Sequence, residues 1–420
     1  MIVIVGGGIS GLSLAHELAA RDQPFLLLEA SARAGGVMRS GRVNGHLLEW
    51  GPQRARLTKD FAALIEDLGV CDQLITAPAG LPLFVYARGR LRRVPFSPGE
   101  FLRSDILTAR GKLRLLLEPL TSRARADESV AGFFTRKLGR EVYENLAGPL
   151  YGGLYASDPR EMEVGLSLAH VLREFGVGRS LLLPLLRQGG SVAPPDACSF
   201  RDGLETLPRA LQERHAAHIH LHKPVRAIER RGHGYVVTTD HDRIDAAHVV
   251  ITTPAPAAAA LLDGLASDAA ACIATLRYNP LTVVHLLADT ELRGLGYQVS
   301  LAESLVTRGV TWNDSLFGRR GVYTAYLGGA KNPWIADESS ERAGQIAVEE
   351  FRIATGADAT VLAVEQERMP AWDRTWTAIQ DLTLPPNLHI HANWMARPGI
   401  PGRLAVSRRL AATLAPDAVS

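Results

Sequence analysis

Gly6, Gly8 and Gly11 stand in G-x-G-x-x-G spacing, directly after the apolar run "IVIV" (Ile2–Val5) and before the helically periodic "LSLAHELAA". That context gives each glycine its own role, respectively a tight turn, backbone approach to a pyrophosphate, and close packing of helix on strand. Phosphates would lie against the first amides of the helix, at Ile9 and Ser10, where unpaired N–H groups and the helix dipole favour negative charge. A second strand, "PFLLLEA", ends in Glu29 and Ala30, about twenty residues beyond the turn, where a carboxylate can grip ribose hydroxyls. The same carboxylate would repel a 2′-phosphate. These residues can bind a dinucleotide with a free ribose.

The elements that position them begin with "IVIV", whose unbroken branched side chains mark a parallel strand buried on both faces. The chain has 420 residues, too many for one small core, so two or more lobes are expected. With 46% hydrophobic and 21% charged residues the composition is that of a globular protein, and 46 basic against 44 acidic residues give no global signal for nucleic acid. Cys71, Cys198 and Cys272 lie far apart, without metal-ligand or CxxC spacing, which suits a reducing compartment. The chain enters its first strand at once and has no long unbroken apolar run, so a cytoplasmic protein without a signal peptide or spanning helix is expected. The histidine-rich "HAAHIHLH" reads as a surface strand, and no metal site is expected there.

The segment after Glu29, "SARAGGVMRS", carries Arg33, Gly35, Gly36, Val37 and Arg39; "LLEWGPQ" then supplies Gly51, Pro52 and Gln53. The first resembles the R-x-G-G-x-x-x-S/T segment and the second the E-x-G-P segment of FAD-dependent amine oxidase superfamily members. "CSFRDGLETLPRALQE" (Cys198–Glu213) resembles a further segment of that superfamily, and "VVITTPA" supplies Thr253 and Pro254. The long stretch Arg92–Met162 resembles the porphyrinogen-oxidising branch, the protoporphyrinogen and coproporphyrinogen oxidases. Its "GKLRLLLEP", "DESVAGF", "RKLGRE" and "GLYASDP" follow that branch in order, and Gly399-Ile400-Pro401 matches its G-I-P stretch.

The resemblance implies FAD as cofactor and an α/β (α+β overall) fold: a Rossmann-like FAD-binding domain built from discontinuous segments, a mixed-sheet substrate domain and a helical lobe. The expected division is 1–80, 198–256 and 387–420 for the FAD-binding domain, 81–197 for the helical, membrane-facing lobe and 257–386 for the substrate-binding domain. It places the glycines and Arg33 by the pyrophosphate, Val225 by the adenine, and Thr253, Pro254, Ala392, Asn393 and the 399–401 stretch along the cofactor. A helix N-terminus in the last segment would aim positive potential at the flavin's N1/O2 edge. Trp372 and Trp376 either wall the flavin or pack the core.

The implied reaction is oxygen-linked oxidation of a porphyrinogen to the porphyrin, in two-electron steps with peroxide release, in haem biosynthesis. Because the flavin does the difficult chemistry, no catalytic acid or base is assigned. A flat macrocycle with propionates calls for an apolar slot and cations. Tyr86–Arg125 holds ten Lys/Arg against three Asp/Glu, and Arg103 is the preferred propionate partner, with Arg54 and Arg56 as alternatives. In "GKLRLLLEPL", Leu113, Leu116, Leu117 and Leu120 fall near one helical face beside cations, so peripheral docking on an anionic membrane is an alternative to core packing. A neighbouring haem-pathway enzyme is a further candidate partner.

The chain departs from the branch near its C-terminus: Ile379-Gln380 lacks the proline of an I-P-Q-Y segment, the connection to the last FAD strand is short, and Gly402 replaces a common acid. Protoporphyrinogen and coproporphyrinogen both remain open as substrates. The competing readings are another oxidase on the same scaffold and a non-catalytic FAD-binding haem-pathway partner.

Overall fold

The computed structural model describes residues 1–121, 123–125, 127–174, 180–183, 196–395 and 399–414. Its nucleotide-binding half is a five-stranded, all-parallel sheet of β1 (Ile2–Val5), β2 (Phe25–Leu28), β3 (Ile219–His220), β4 (His248–Ile251) and β5 (Leu388–Ile390). The spatial order is β3-β2-β1-β4-β5, so one sheet draws on widely separated parts of the chain, as the resemblance implies. All four residues of β1 are buried, the burial on both faces expected of a central parallel strand.

Helix α1 (Ile9–Ala19) packs against α2 (Ile400–Leu414), although nearly the whole chain separates them. Ser13 Oγ and Ser407 Oγ lie 2.7 Å apart, and Ser407 Oγ lies 2.7 Å from His391 Nε2. This buried polar chain ties the first βα unit to the last.

The second sheet has seven strands in the order 360–370, 278–287, 322–328, 307–312, 296–299, 83–87 and 90–93. Every pair is antiparallel except 296–299 with 83–87. Side chains alternate between its faces. Val284, Leu286, Tyr323, Ala325 and Leu327 pack with Phe351 of helix Ser340–Thr355 in one core. The opposite face carries His285, Thr324 and Glu365, which turn toward the nucleotide-binding half through Trp50, Gln53 and Arg39.

Two expectations need correction here. Leu83–Ala87 and Arg90–Arg93 are strands of the substrate sheet, so the 81–197 block is not helical throughout and its helices begin at Pro98. The pairing follows from the two-residue turn Arg88-Gly89, with φ of 53° and 72°, the left-handed pair that matches hairpin twist. The histidine run is a short 3-10 turn (Ala216–His218) leading into β3 at the edge of the parallel sheet, with His215 and His218 packed on Phe25.

Within the helical lobe a completely buried ion pair joins Glu118 to Lys137 at 2.8 Å. Glu118 also accepts from the Ser180 hydroxyl and from Leu181 N at 2.9 Å.

Candidate cofactor and active site

The turn confines Gly6 and Gly11 and leaves Gly8 open. Gly6 has φ of 110°, and a Cβ there would stand 2.8 Å from Thr252 Oγ1. At Gly11 a Cβ would stand 2.1 Å from Gly6 O, so only hydrogen lets the helix sit this close to the strand. A Cβ at Gly8 would meet nothing within 4 Å. Space is therefore left open at the position where a pyrophosphate would approach. Gly8 caps α1 without a side-chain hydrogen bond, and the first intrahelical bond is Leu12 N to Gly8 O at 2.9 Å. The amides of Ile9, Ser10 and Gly11 thus precede the helix's own ladder and are available to an anion.

Glu29 accepts from Gly7 N at 2.6 Å and from Ser31 N and Oγ at 2.8 and 2.7 Å. These bonds orient the carboxylate across the turn and leave acceptor capacity for ribose hydroxyls. Ala30 follows it at the surface. Lys223 N donates to Glu29 O at 2.8 Å, which carries the chain past the same point into the strand that begins at Val225.

The 33–39 loop folds over the turn. Gly35 pairs with Gly8, its N donating to Gly7 O at 2.7 Å, and a Cβ on Gly36 would lie 3.3 Å from Gly8 Cα. Gly51 is equally confined, since a Cβ there would stand 1.9 Å from Val37 O. Val37 and Pro52 flank this contact; Val37 is exposed. Thr252 Oγ1 donates to Gly6 O at 2.7 Å, while the buried Thr253 hydroxyl has no partner among the described residues and stands beside Pro254, which caps the following helix. An open cradle, free helical amides, an oriented carboxylate and an orphaned hydroxyl on one surface fit a dinucleotide cofactor.

Several assigned side chains also have structural duties. Arg33 donates to the carbonyls of Ala34, Gly36 and Met38 and so closes its own loop. Arg39 pairs with Glu365 of the second sheet and lies 5.2 Å over the Trp50 ring. The Gln53 amide is fully committed: Nε2 donates to the carbonyls of Glu49 and Gly51, and Oε1 accepts from Asn313 and Thr324. Trp376 is buried, stacked on Trp372 at 5.4 Å, with Nε1 donating to Trp394 O at 2.9 Å. It packs the core.

Trp394, which sequence reasoning did not single out, donates from Nε1 to Thr253 O at 3.0 Å and so joins the last segment to the 252–254 passage. Buried Ala392 accepts from Arg403 Nη1 at 2.6 Å; Asn393 and Gly399 are exposed, Pro401 is half-buried and Ile400 is in the core.

The three substrate candidates separate clearly. Arg103 ends a surface helix, Pro98–Arg103, and is exposed beside Leu102, so the preference for it is not upheld. Arg56 is exposed on the two-residue strand Ala55–Arg56 that pairs with 197–198. Arg54 stands beside Tyr326. Its side chain is open to solvent, yet protein closes around it so that burial lowers its pKa, opposed by Tyr326. No hydrogen bond or ion pair among the described residues engages it. Tyr326, on the inward face of strand 322–328, lies 3.3 Å from Thr311 Oγ1 and has its phenol pushed up to about 12 by burial. Nearby His285 is lowered to about 4 by burial and by Arg319, so it is neutral at neutral pH.

Under this surface lies a second buried ion pair, Arg319 to Glu49 at 2.6 Å. Glu49 also accepts from Leu204 N at 2.9 Å and from Ser40 Oγ, which clamps the 47–53 segment to the 198–205 segment.

Comparison with known proteins agrees with this geometry. The family model described as flavin containing amine oxidoreductase matches residues 9–383. The chloroplastic protoporphyrinogen oxidase of Oryza sativa subsp. japonica is 31% identical over 380 residues, covering 80% of this chain and 71% of that protein. The coproporphyrinogen III oxidase of Bacillus subtilis is 25% identical over 390 residues, covering 84% and 82%. A solved structure from Exiguobacterium sp. 255-15 superimposes with a TM-score of 0.78 at 22% identity, over 99% of this chain and 98% of that one. With the cradle, the ribose acid and the split sheet in place, the chain belongs to the flavin containing amine oxidoreductase family and is an FAD-dependent oxidoreductase.

Proposed function

We propose that the protein oxidises a porphyrinogen, protoporphyrinogen IX or coproporphyrinogen III, to the porphyrin in haem biosynthesis, with molecular oxygen as final acceptor and hydrogen peroxide as by-product. The observation that carries this reading is Arg54, a solvent-facing arginine just after the 47–53 segment that no hydrogen bond or ion pair among the described residues engages, where a carboxylated substrate would meet it. The relatives named for both porphyrinogens support it.

FAD, when bound, supplies the hydride acceptor. This chain's own residues hold and orient. Gly6, Gly8, Gly11 and Glu29 seat the dinucleotide, Arg54 offers two N–H groups to a propionate, and Tyr326, held by Thr311, stands beside it.

We also infer peripheral contact with an anionic membrane. Leu102, Leu113, Leu116, Leu117 and Leu120 are 72%, 63%, 69%, 49% and 76% exposed, among Arg103, Arg110 and Lys112. Leucines this open, clustered in one short stretch beside cations, fit a surface-lying element. Among the described residues no helix is long and apolar enough to cross a membrane.

The test of the activity is aerobic turnover of FAD-loaded protein with each porphyrinogen, followed by porphyrin fluorescence and peroxide. Formation of porphyrin above the spontaneous rate, with peroxide alongside it, is expected. A rate no higher than the protein-free control with both substrates would overturn the reading.

A further inference from the structure

A cavity of about 400 Å³ opens between the helical run 140–160 and the ends of strands 307–312 and 322–328. Four cations line it, Arg140, Arg160, Arg308 and Lys331, against two acids, Glu144 and Asp158. Both acids are already taken: Arg140 Nε donates to Glu144 at 2.7 Å, and Arg160 grips Asp158 through Nε and Nη2 at 2.9 and 2.6 Å. Among the described residues Arg308 and Lys331 form no ion pair, and Glu350 and Asp158 reach Arg308 only through space. Arg308 Nη1 is buried with no acceptor, and Lys331 Nζ reaches only the carbonyls of Leu301 and Glu303, at 3.0 and 2.9 Å.

Two cations held close without a paired anion are costly. Burial first, then Arg308 and Arg160, draw the Lys331 ammonium down to about 8, with Asp158 and Glu303 opposing. The position of Lys331 is nonetheless well fixed, because Ala330 N donates to Ala156 O at 2.9 Å and Gly329 N to Pro280 O at 3.0 Å. Gly148, Gly152, Gly153 and Gly328 form much of the remaining wall. Tyr143, Pro149, Pro159 and Leu301 add apolar surface that a flat, bulky group could lie against.

The cavity wall and the neighbour of Arg54 share one face of one strand. Tyr326, beside Arg54, and Gly328, in the cavity wall, are two residues apart, a separation of about 7 Å along a strand. Ala156, also in the cavity wall, packs with Leu281 and Val283 from the same face.

We propose that Arg308 and Lys331 form a carboxylate-recognition pocket that holds acidic substituents of a large flat substrate whose other edge lies toward Arg54. This rests on the porphyrinogen reading and sharpens it: the substrate with more propionates is favoured, so coproporphyrinogen is preferred over protoporphyrinogen.

Binding rather than turnover tests it. FAD-loaded protein is titrated with coproporphyrin III and with its tetramethyl ester, followed by fluorescence. Lys331→Met, on the exposed rim, and Arg308→Gln are each expected to weaken coproporphyrin binding at least ~10-fold while leaving the ester unchanged. Affinity of the unaltered protein falls as pH rises through about 8, where Lys331 loses its proton, and Lys331→Met removes that fall. Unchanged coproporphyrin affinity in Lys331→Met overturns the proposal. So does stabilisation of the unaltered protein by inorganic phosphate when neither variant alters porphyrin affinity, which would make this a site for free anions. Charge-dependent porphyrin binding without turnover would leave the pocket standing and refute only the oxidase reading.

Discussion

At the scale of single residues, the glycines make opposite predictions at neighbouring positions. Gly11→Ala drives a methyl to within 2.1 Å of Gly6 O, backbone against backbone, and is expected to abolish the fold or FAD retention. Gly8→Ala meets no protein atom within 4 Å, so the apoprotein should keep its melting temperature while FAD affinity falls. Thermal melts with and without FAD separate the two. Arg54→Met should leave FAD retention intact and lower kcat/KM for a porphyrinogen by ~10–100-fold, the worth of a lost charge-assisted contact. Steady-state kinetics on the FAD-loaded variant measure it.

These residues also show what a sequence can disclose. The three glycines and Glu29 were legible because what they do is local, a turn, a helix start and a strand end within thirty residues. The true duties of Arg39 and Gln53 were not, because their partners Glu365, Asn313 and Thr324 lie hundreds of residues away. Arg103 drew attention through local charge density, which says nothing about the direction a helix faces.

At the scale of elements, the helical lobe depends on the Glu118–Lys137 pair. Burial pushes the Glu118 carboxyl upward, but Lys137, Ser180 and Leu181 N outweigh it and hold it below its ordinary value. A carboxyl lowered in the folded state contributes stability above its unfolded pKa and loses it as pH falls through the folded one. Lys137→Met leaves that charge buried and alone, at a cost of about 3–5 kcal/mol. A lower melting temperature at neutral pH, with the deficit shrinking on acidification, is the expected result of a calorimetric pH series. The strands Leu83–Ala87 and Arg90–Arg93 were obscured for a related reason: the Arg88-Gly89 turn is a weak local signal, and the pairing with 296–299 is visible only in three dimensions.

At the scale of the whole molecule, two sheets face each other across the 47–53 segment, with Glu49–Arg319 beneath it and Arg39–Glu365 across it. The exposed leucines lie on the lobe beyond. Leu113→Ser with Leu116→Ser should halve or better the fraction that co-sediments with anionic vesicles, with unchanged melting temperature, since both side chains are already in water. Equal sedimentation of variant and parent would refute membrane docking while leaving the chemistry untouched.

Porphyrinogen oxidation is probed most directly by anaerobic mixing of FAD-loaded protein with a porphyrinogen while flavin absorbance is followed. Bleaching of the flavin band on mixing is expected, and its return with porphyrin fluorescence when oxygen is admitted. A band that dithionite bleaches but neither porphyrinogen touches would contradict a role in porphyrinogen oxidation.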